Sequence, residues 1–354
     1  MGKMIKAVLL ALFIAGAVAA LGKVFIWGES VTNYGSYTPW GLWVAMYILL
    51  VGAAAGATWT GICASRSQGG EPNKMTTVSF IVAGACLAFG LAFIGTDLGK
   101  PLKGISIFLN PSFSSKLAWA SWIYAGFFAC LAGYFLTNAK KAFMYLAGIT
   151  ALGFLLAEGM FFGGMVARML WNTWLTPLSF ITSAVAAGSA AVYVVGRMNS
   201  REVIEEEGYH IKKVLLYSVI ANVVIEVVHL VLGMSGNVEK VALTQGLLSS
   251  IPFWGFIVVG VIVPVYSLIK KPDCKCATPA VLAFIGIAAY KYSFIRYGFG
   301  VEPLPGLASA FQSPRLSVAY TPSLVEWVIA VGFIAGALWI AGLVTEKLLA
   351  VKQA

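Results

Sequence analysis

Residues 41–63 read GLWVAMYILLVGAAAGATWTGIC. The run carries no charged side chain, and at 1.5 Å per residue a helix of this length crosses the roughly 30 Å of hydrocarbon in a bilayer. Its centre, Gly52-Ala53-Ala54-Ala55-Gly56, is a stripe of small residues that lets helix backbones approach closely inside a membrane. Working outward, apolar runs recur at 5–26, 75–96, 117–138, 142–163, 172–196, 213–233, 245–269, 276–295 and 321–344. Each is long enough to span. The expected fold is an all-α integral membrane protein with ten transmembrane helices.

Composition agrees. Of 354 residues, 60% are hydrophobic and 11% charged, whereas soluble domains run near 25% charged; the mean hydropathy is +0.87. No length remains for a separate soluble catalytic domain. The net charge of +10 comes from short Lys and Arg clusters between apolar runs, as topology signals do, and not from a basic face interleaved with aromatics, so no nucleic-acid partner is expected. The five cysteines are Cys63, Cys86, Cys130, Cys274 and Cys276. Three sit in apolar runs and the last two form C-x-C, a spacing that supports neither an iron–sulfur cluster nor structural zinc. The two histidines, His210 and His229, are too few for a pair of bis-histidine haems. No metal, haem or cluster is expected in this protein.

The majority of the 24 Lys and Arg residues fall on the side of the N-terminus, in the shorter connections. By the positive-inside rule both termini are expected in the cytoplasm. Lys23, Lys100, Lys103, Lys116, Arg168, Lys240, Lys291, Arg296 and Arg315 count to the outer side. Lys3 and Lys6, an apolar stretch and Ala17-Val18-Ala19 also fit a secretory signal with its cleavage site, and the remaining topology is the same either way. The long outer connections, 27–40, 97–116 and 296–320, are rich in Pro, Gly, Ser, Asn and aromatics, the composition of functional loops. The inward segment 197–212, with Glu202, Glu205, Glu206 and Glu207, reads as a solvated connector.

An offset of 132 residues pairs Gly56 with Gly188, Asp97 with His229 and Trp122 with Trp254. Spans two to five then overlay spans six to nine in the same orientation. The expectation is two four-helix bundles related by a pseudo-two-fold axis along the membrane normal. It divides the sequence into 1–40 (first helix and outer loop), 41–163 (first bundle), 164–295 (second bundle) and 296–354 (outer loop and tenth helix).

Ionisable residues inside spans are costly to place, which makes them the candidates for chemistry. Glu158 lies in the outer half of span five, as a proton-relay carboxylate or as a group turned to the interface or paired with Arg168. Glu226 and His229 stand three apart on one face of span seven, as a proton-transfer pair or a structural hydrogen-bonded pair. Asp97 ends span three, either as part of a capped loop paired with Lys100 or as one polar wall of a ligand site. Trp40 and Trp43 open span two and Trp171 and Trp174 open span six, as interfacial anchors or as walls of a flat cleft. A quinone site needs such apolar walls, a few polar groups for two carbonyls, and proton donors nearby.

Thr38-Pro39-Trp40-Gly41-Leu42-Trp43 with Gly52 to Ala57, Asp97-Leu98-Gly99-Lys100-Pro101 with Asn110-Pro111-Ser112-Phe113-Ser114-Ser115 and Trp119, Leu170-Trp171-Asn172-Thr173 with Pro177-Leu178, and Lys291-Tyr292 through Tyr320-Thr321-Pro322-Ser323-Leu324-Val325-Glu326-Trp327 together resemble the NrfD/PsrC family of polysulfide reductase-like membrane subunits. The last stretch is similar to the ten-span branch, which includes membrane subunits of hydrogenases and sulfur-metabolism complexes. The resemblance implies a subunit of the cytoplasmic (inner) membrane that handles menaquinone or ubiquinone without redox cofactors of its own. It also implies an iron–sulfur electron-transfer partner on the outer face and a catalytic subunit beyond it. It places quinone-binding residues at Trp40, Trp43, Asp97 and Lys100; the intramembrane Glu158, Glu226 and His229 are expected to carry protons. Span two lacks the histidine of some relatives, and Ala151 and Leu152 stand where some place Tyr or His. The competing expectations are a secondary transporter, which ten spans, a repeat and buried acids also suit, and a membrane anchor without a quinone site.

Overall fold

The structure is a computed structural model. It describes residues 1–354 except 111, 138–139, 200, 271–275, 303, 305, 312–315 and 352–354. Pro111, Cys274 and Arg315 therefore lie outside the described residues, as do the side chains of Glu202, Glu205, Glu206 and Glu207.

Among the described residues ten helices are long and apolar enough to cross a membrane: α1 Lys3–Val31, α2 Leu42–Ser67, α3 Lys74–Asp97, α4 Lys116–Leu136, α5 Lys141–Gly163, α6 Leu175–Asn199, α7 Gly208–Met234, α8 Ile251–Lys270, α9 Thr278–Gly298 and α10 Leu324–Leu349. No strand occurs among the described residues. The ten-span, all-α expectation holds, with boundaries within a few residues of the apolar runs. Two ends are set by side-chain caps. Asn73 accepts from Thr76 N at 2.8 Å to start α3, and Ser115 accepts from Ala118 N to start α4, each satisfying a donor that the first turn leaves unpaired. Lys6 pairs with Glu346 at 2.7 Å, tying the two ends of the polypeptide to one face of the molecule. The opposite face, which carries the long connections, is called the loop face below.

The central eight helices pack in two sets with matching contacts. Helix α2 packs on α3 and α5, and α4 on α5; in the second set α6 packs on α7 and α9, and α8 on α9. Between the sets, α2 lies along α6, and the contact of α5 with α6 is matched by that of α9 with α2. The outer pair, α1 against α10, leans on α3. The repeat-related glycines meet at the α2–α6 crossing. A Cβ on Gly56 would stand 1.8 Å from Ala184 O, and one on Gly188 2.1 Å from Ala57 N. Only glycine permits that approach, and close packing of small residues is what holds helices together in lipid.

Two expectations change. The segment 197–212, expected as a solvated connector, is helical from Arg201, where one helix runs to Met234, and Ile204 within it is buried near Gly196. Lys291 is not an outer-loop charge. It lies inside α9 and is 2% exposed, because Tyr290, Phe294 and the neighbouring α6 ring Phe180 close over it. Lys23, also counted to a loop, is equally buried and sits at the end of α3.

Candidate functional site

The polar side chains inside the bundles lie in one layer. Tyr47, Tyr124, Glu158, Ser179, Glu226, Tyr290 and Lys291 each sit four to eight residues from the loop-face end of their helix, roughly 6–12 Å deep at 1.5 Å per residue. They form two clusters, one in each bundle.

In the first bundle Glu158 (α5) is 3% exposed and accepts a hydrogen bond from the Tyr124 hydroxyl (α4) on Oε1. The Tyr124 hydroxyl is in turn 2.8 Å from that of Tyr47 (α2). Glu158 is thus not paired with Arg168, whose guanidinium lies 4.3 Å from the Phe299 ring centroid; burial at that ring lowers the Arg168 pKa. The second carboxylate oxygen of Glu158, Oε2, is buried without a hydrogen-bond partner. In the second bundle Glu226 (α7) accepts from Ser179 (α6) at 2.7 Å and from Tyr290 (α9). His229 Nδ1 lies 3.8 Å from Glu226 Oε2, and its Nε2 is 3.0 Å from the backbone oxygen of Leu170. The three-residue spacing on α7 therefore does bring Glu226 and His229 together.

Cavities separate the clusters by accessibility. A cavity of about 770 Å³ opens between α3 and α4 beneath the segment 98–110. Its lining is mostly apolar, with Leu91, Ile94, Phe108 and Phe128 beside Tyr47 and Tyr124, and it also includes Lys103, Ser106, Asn110 and Ser121. The roof consists of two short turns, Pro101–Ile105 and Ser106–Leu109. Beside the second cluster there is only about 20 Å³, between Glu226, His229, Thr244 and Tyr290, enough for about one water.

A second loop-face cavity, about 740 Å³, is polar and lined by Glu29, Asn33, Tyr34, Trp40, Asp97 and Thr321 among others. Leu98 lines both large cavities. Asp97 Oδ1 is buried and unpartnered here. Lys23 reaches the end of α3, donating to Thr96 O at 2.7 Å and pairing with Glu29 at 2.8 Å, while Lys100 is exposed and makes no such contact. Burial, then the charge of Asp97, holds the Tyr34 hydroxyl well above its ordinary pKa, so it stays protonated beside the carboxylate. Tyr320 donates to Glu326 and accepts from Leu42 N; burial and that carboxylate raise its pKa in the same way.

The tryptophan pairs divide. Trp40 stacks on Trp171 with centroids 6.1 Å apart and planes at 15°, so the starts of α2 and α6 contribute to one aromatic cluster that also holds Phe162 and Phe299. Trp43 is fully buried and donates its indole N–H to Glu326 O at 3.1 Å, pinning α2 to α10; it lines neither large cavity. Trp174 is exposed. Sequence reasoning missed Tyr47, Tyr124, Ser179, Tyr290 and Lys291. A single tyrosine or serine in an apolar run leaves no periodic signal, yet the offset of 132 pairs Tyr47 with Ser179 and Glu158 with Tyr290, which is the placement the two clusters share.

Residues 30–299 match the family described as polysulphide reductase, NrfD. The chain belongs to the NrfD family. It is 21% identical to the C subunit of the selenate reductase of Mesobacillus selenatarsenatis, over 87% of this sequence and 85% of that one. It is 24% identical to the Hdr-like menaquinol oxidoreductase integral membrane subunit of Archaeoglobus fulgidus, over 91% and 88%. To the C component of the polysulfide reductase of Wolinella succinogenes the identity is 24%, over 70% and 87%. These relatives are named as parts of oxidoreductases, one of them as an integral membrane subunit, and this NrfD protein is a multi-pass membrane protein.

Proposed function

We propose that this protein is the quinone-handling membrane subunit of a respiratory oxidoreductase complex in the cytoplasmic membrane. Both termini lie in the cytoplasm. An iron–sulfur subunit docks on the loop face and passes electrons to or from a catalytic subunit. One relative named as a menaquinol oxidoreductase subunit supports the class of substrate. The observation that carries the reading is the cavity between α3 and α4. It combines apolar walls with two tyrosine hydroxyls that lead by hydrogen bonds to a buried carboxylate. Those are the walls and the polar groups that a quinone ring requires.

A quinone supplies a two-electron, two-proton couple. In the direction of quinol oxidation the two electrons leave to the iron–sulfur partner and the two protons leave through protein groups. Tyr47 and Tyr124 accept hydrogen bonds from the substrate hydroxyl, and Tyr124 hands a proton to Glu158 as it takes one up. In the direction of quinone reduction the same groups deliver protons to the carbonyl oxygens. The apolar part of the lining favours proton exchange along this hydroxyl–carboxylate path. Asp97 and Trp40, with Lys100 at the rim and Trp43 anchoring α2 behind them, border the polar vestibule on the other side of Leu98, where water and the partner subunit meet the site.

Glu158→Gln in the intact complex tests the reading. Dye-driven turnover of a short-chain naphthoquinone should fall about 100-fold, the scale of a lost acid–base group, while assembly and bound quinone stay unchanged. Wild-type turnover in this variant, or a native complex from which solvent extraction recovers no quinone, would sink the proposal. Uptake of a solute by the isolated protein in vesicles would favour the transporter instead.

A further inference from the structure

The large cavity has an open side as well as a roof. Helices α3 and α4 follow one another in the sequence yet meet only sparsely, because α3 packs along α2 and α10 and α4 along α5. The cavity fills the gap between them, with Leu91 and Ile94 on one lip and Leu117 and Phe128 on the other. Phe128 stands twelve residues from the loop-face end of α4, roughly 18 Å deep at 1.5 Å per residue, and is still 36% exposed. Exposure at that depth faces hydrocarbon, not water. The membrane interface is marked above it. Trp119 and Trp122, three and six residues into α4, are both half-exposed. Trp119 donates its indole N–H to Phe113 O at 2.8 Å, and Trp122 meets the roof ring Phe108 edge-on with centroids 5.5 Å apart. Tryptophans so placed sit at the headgroup level. The roof matches that level, with Leu102, Ile105 and Leu109 exposed beside Lys100 and Lys103.

We propose that the α3–α4 gap is a lateral portal for a lipid-phase quinone, with the ring lodged against Tyr47 and Tyr124 and the isoprenoid tail leaving into the bilayer below the tryptophans. The substrate class is then a quinone with a long apolar tail, reached from the membrane and not from the water above the loop face. The depths agree: the tyrosines stand five and eight residues from the loop-face ends of α2 and α4, and the opening continues from their level down to Phe128. The other way in, past Leu98, is lined by Glu29, Asn33 and Asp97, polar groups that a hydrocarbon tail would strip of water without replacing it. Gly95 keeps the α3 lip low. It shares a helix face with Leu91 and Leu98, both of which line the cavity, and nothing lies within 4 Å of a Cβ added there.

The inference rests on the quinone reading, and the test tells the two failures apart. A naphthoquinone with a photoreactive diazirine in the first isoprenoid unit of its tail is irradiated on the intact complex, and labelled peptides are read by mass spectrometry. Label is expected on segments 91–98 and 117–128, and excess unlabelled menaquinone should displace it. Label there that menaquinone does not displace would mark a groove filled by ordinary lipid. Label confined to the lining of the polar cavity would send the tail the other way. Either result overturns the portal, as does the absence of label from a complex that turns over quinone. In the same complex Gly95→Trp should lower the ratio of kcat/KM for a long-tailed over a short-chain naphthoquinone about 10-fold, chiefly through the KM of the long-tailed one, whereas Gly95→Ala should keep the wild-type ratio. An unchanged ratio in Gly95→Trp would also overturn the portal. If that variant fails to assemble, Leu117→Trp on the opposite lip carries the same expectation. A wild-type complex that neither takes the label nor turns over either quinone overturns the quinone reading itself.

Discussion

The two bundles share an architecture and differ in what they enclose. Helices α2–α5 and α6–α9 pack in matching pairs, and each bundle has a buried glutamate bound by a tyrosine in the layer toward the loop face. In the first, that carboxylate stands behind a cavity of about 770 Å³; in the second it stands beside about 20 Å³. The difference follows from a permutation of side chains on repeat-related positions. Glu158 corresponds to Tyr290, Tyr47 to Ser179, Tyr124 to Phe256 and Ile94 to Glu226. Where the first bundle has Tyr124 lining its cavity, the second has Phe256, which packs on Tyr290 with centroids 5.0 Å apart. A duplicated scaffold can therefore give one copy a substrate cavity and the other a closed ionisable site without a change of fold.

The comparison depends first on the join between the bundles. Gly188→Ala places a methyl group 2.1 Å from Ala57 N and 2.3 Å from the carbonyl carbon of Gly56. Both are backbone atoms that cannot turn aside, so the α2–α6 crossing must spread. Overpacking of this kind costs about 1–3 kcal/mol or more, and here it also pulls α9 from α2. The expected result is loss of most of the monodisperse complex on size-exclusion chromatography after detergent extraction. Gly95→Ala is the control, since nothing lies within 4 Å of its added Cβ, and its yield should equal wild type. Equal yields for both would mean that the glycine contact does not hold the halves together.

The second test asks whether the open half is the working half. Tyr124→Phe removes the hydroxyl between the cavity and Glu158 and should lower quinone turnover about 10-fold, with assembly intact. Tyr290→Phe removes the corresponding donor to Glu226, but Ser179 still donates to that carboxylate at 2.7 Å, so its loss should be several-fold smaller. A larger effect from Tyr290→Phe would reverse the assignment of the two bundles. Steady-state rates at saturating quinone decide it, because neither substitution enlarges the cavity.

How much of this could be read from the sequence depends on the kind of signal. The spans were legible because an apolar run of about 20 residues has few other solutions, and Glu158, Glu226 and His229 stood out because ionisable groups are rare there. The pairing of Gly56 with Gly188 at an offset of 132 also foreshadowed a real contact. Lys291 was hidden for a physical reason: it lies near the end of an apolar run, among Tyr290, Tyr292 and Arg296, where lysines usually reach the membrane surface. Only the fold shows that Phe180 from α6 closes over it. The partner of Asp97 was hidden too. Neighbourhood in sequence suggested Lys100, but it is Lys23 from α1 that reaches this end of α3, donating to the backbone oxygens of Thr96 and Asp97 and not to the Asp97 carboxylate, and no local pattern announces a contact across more than 70 residues.

The smallest effects sharpen the comparison most finely. Ser179 and Tyr47 occupy repeat-related positions, each ending a hydroxyl path at its carboxylate. Tyr47 lines the large cavity, so Tyr47→Phe removes a group that would touch the quinone as well as a link to Tyr124, and several-fold slower turnover is expected. Ser179→Ala leaves Glu226 its bond from Tyr290 and opens no path to a substrate. The net worth of one such hydrogen bond is about 1 kcal/mol, so the change in turnover should stay within about fivefold and appear without any change in the KM for quinone. A raised KM in Ser179→Ala would mean that the second bundle also meets the substrate, and the division between an open and a closed half would fall, because a serine that only holds a proton-carrying carboxylate has no means of altering quinone affinity.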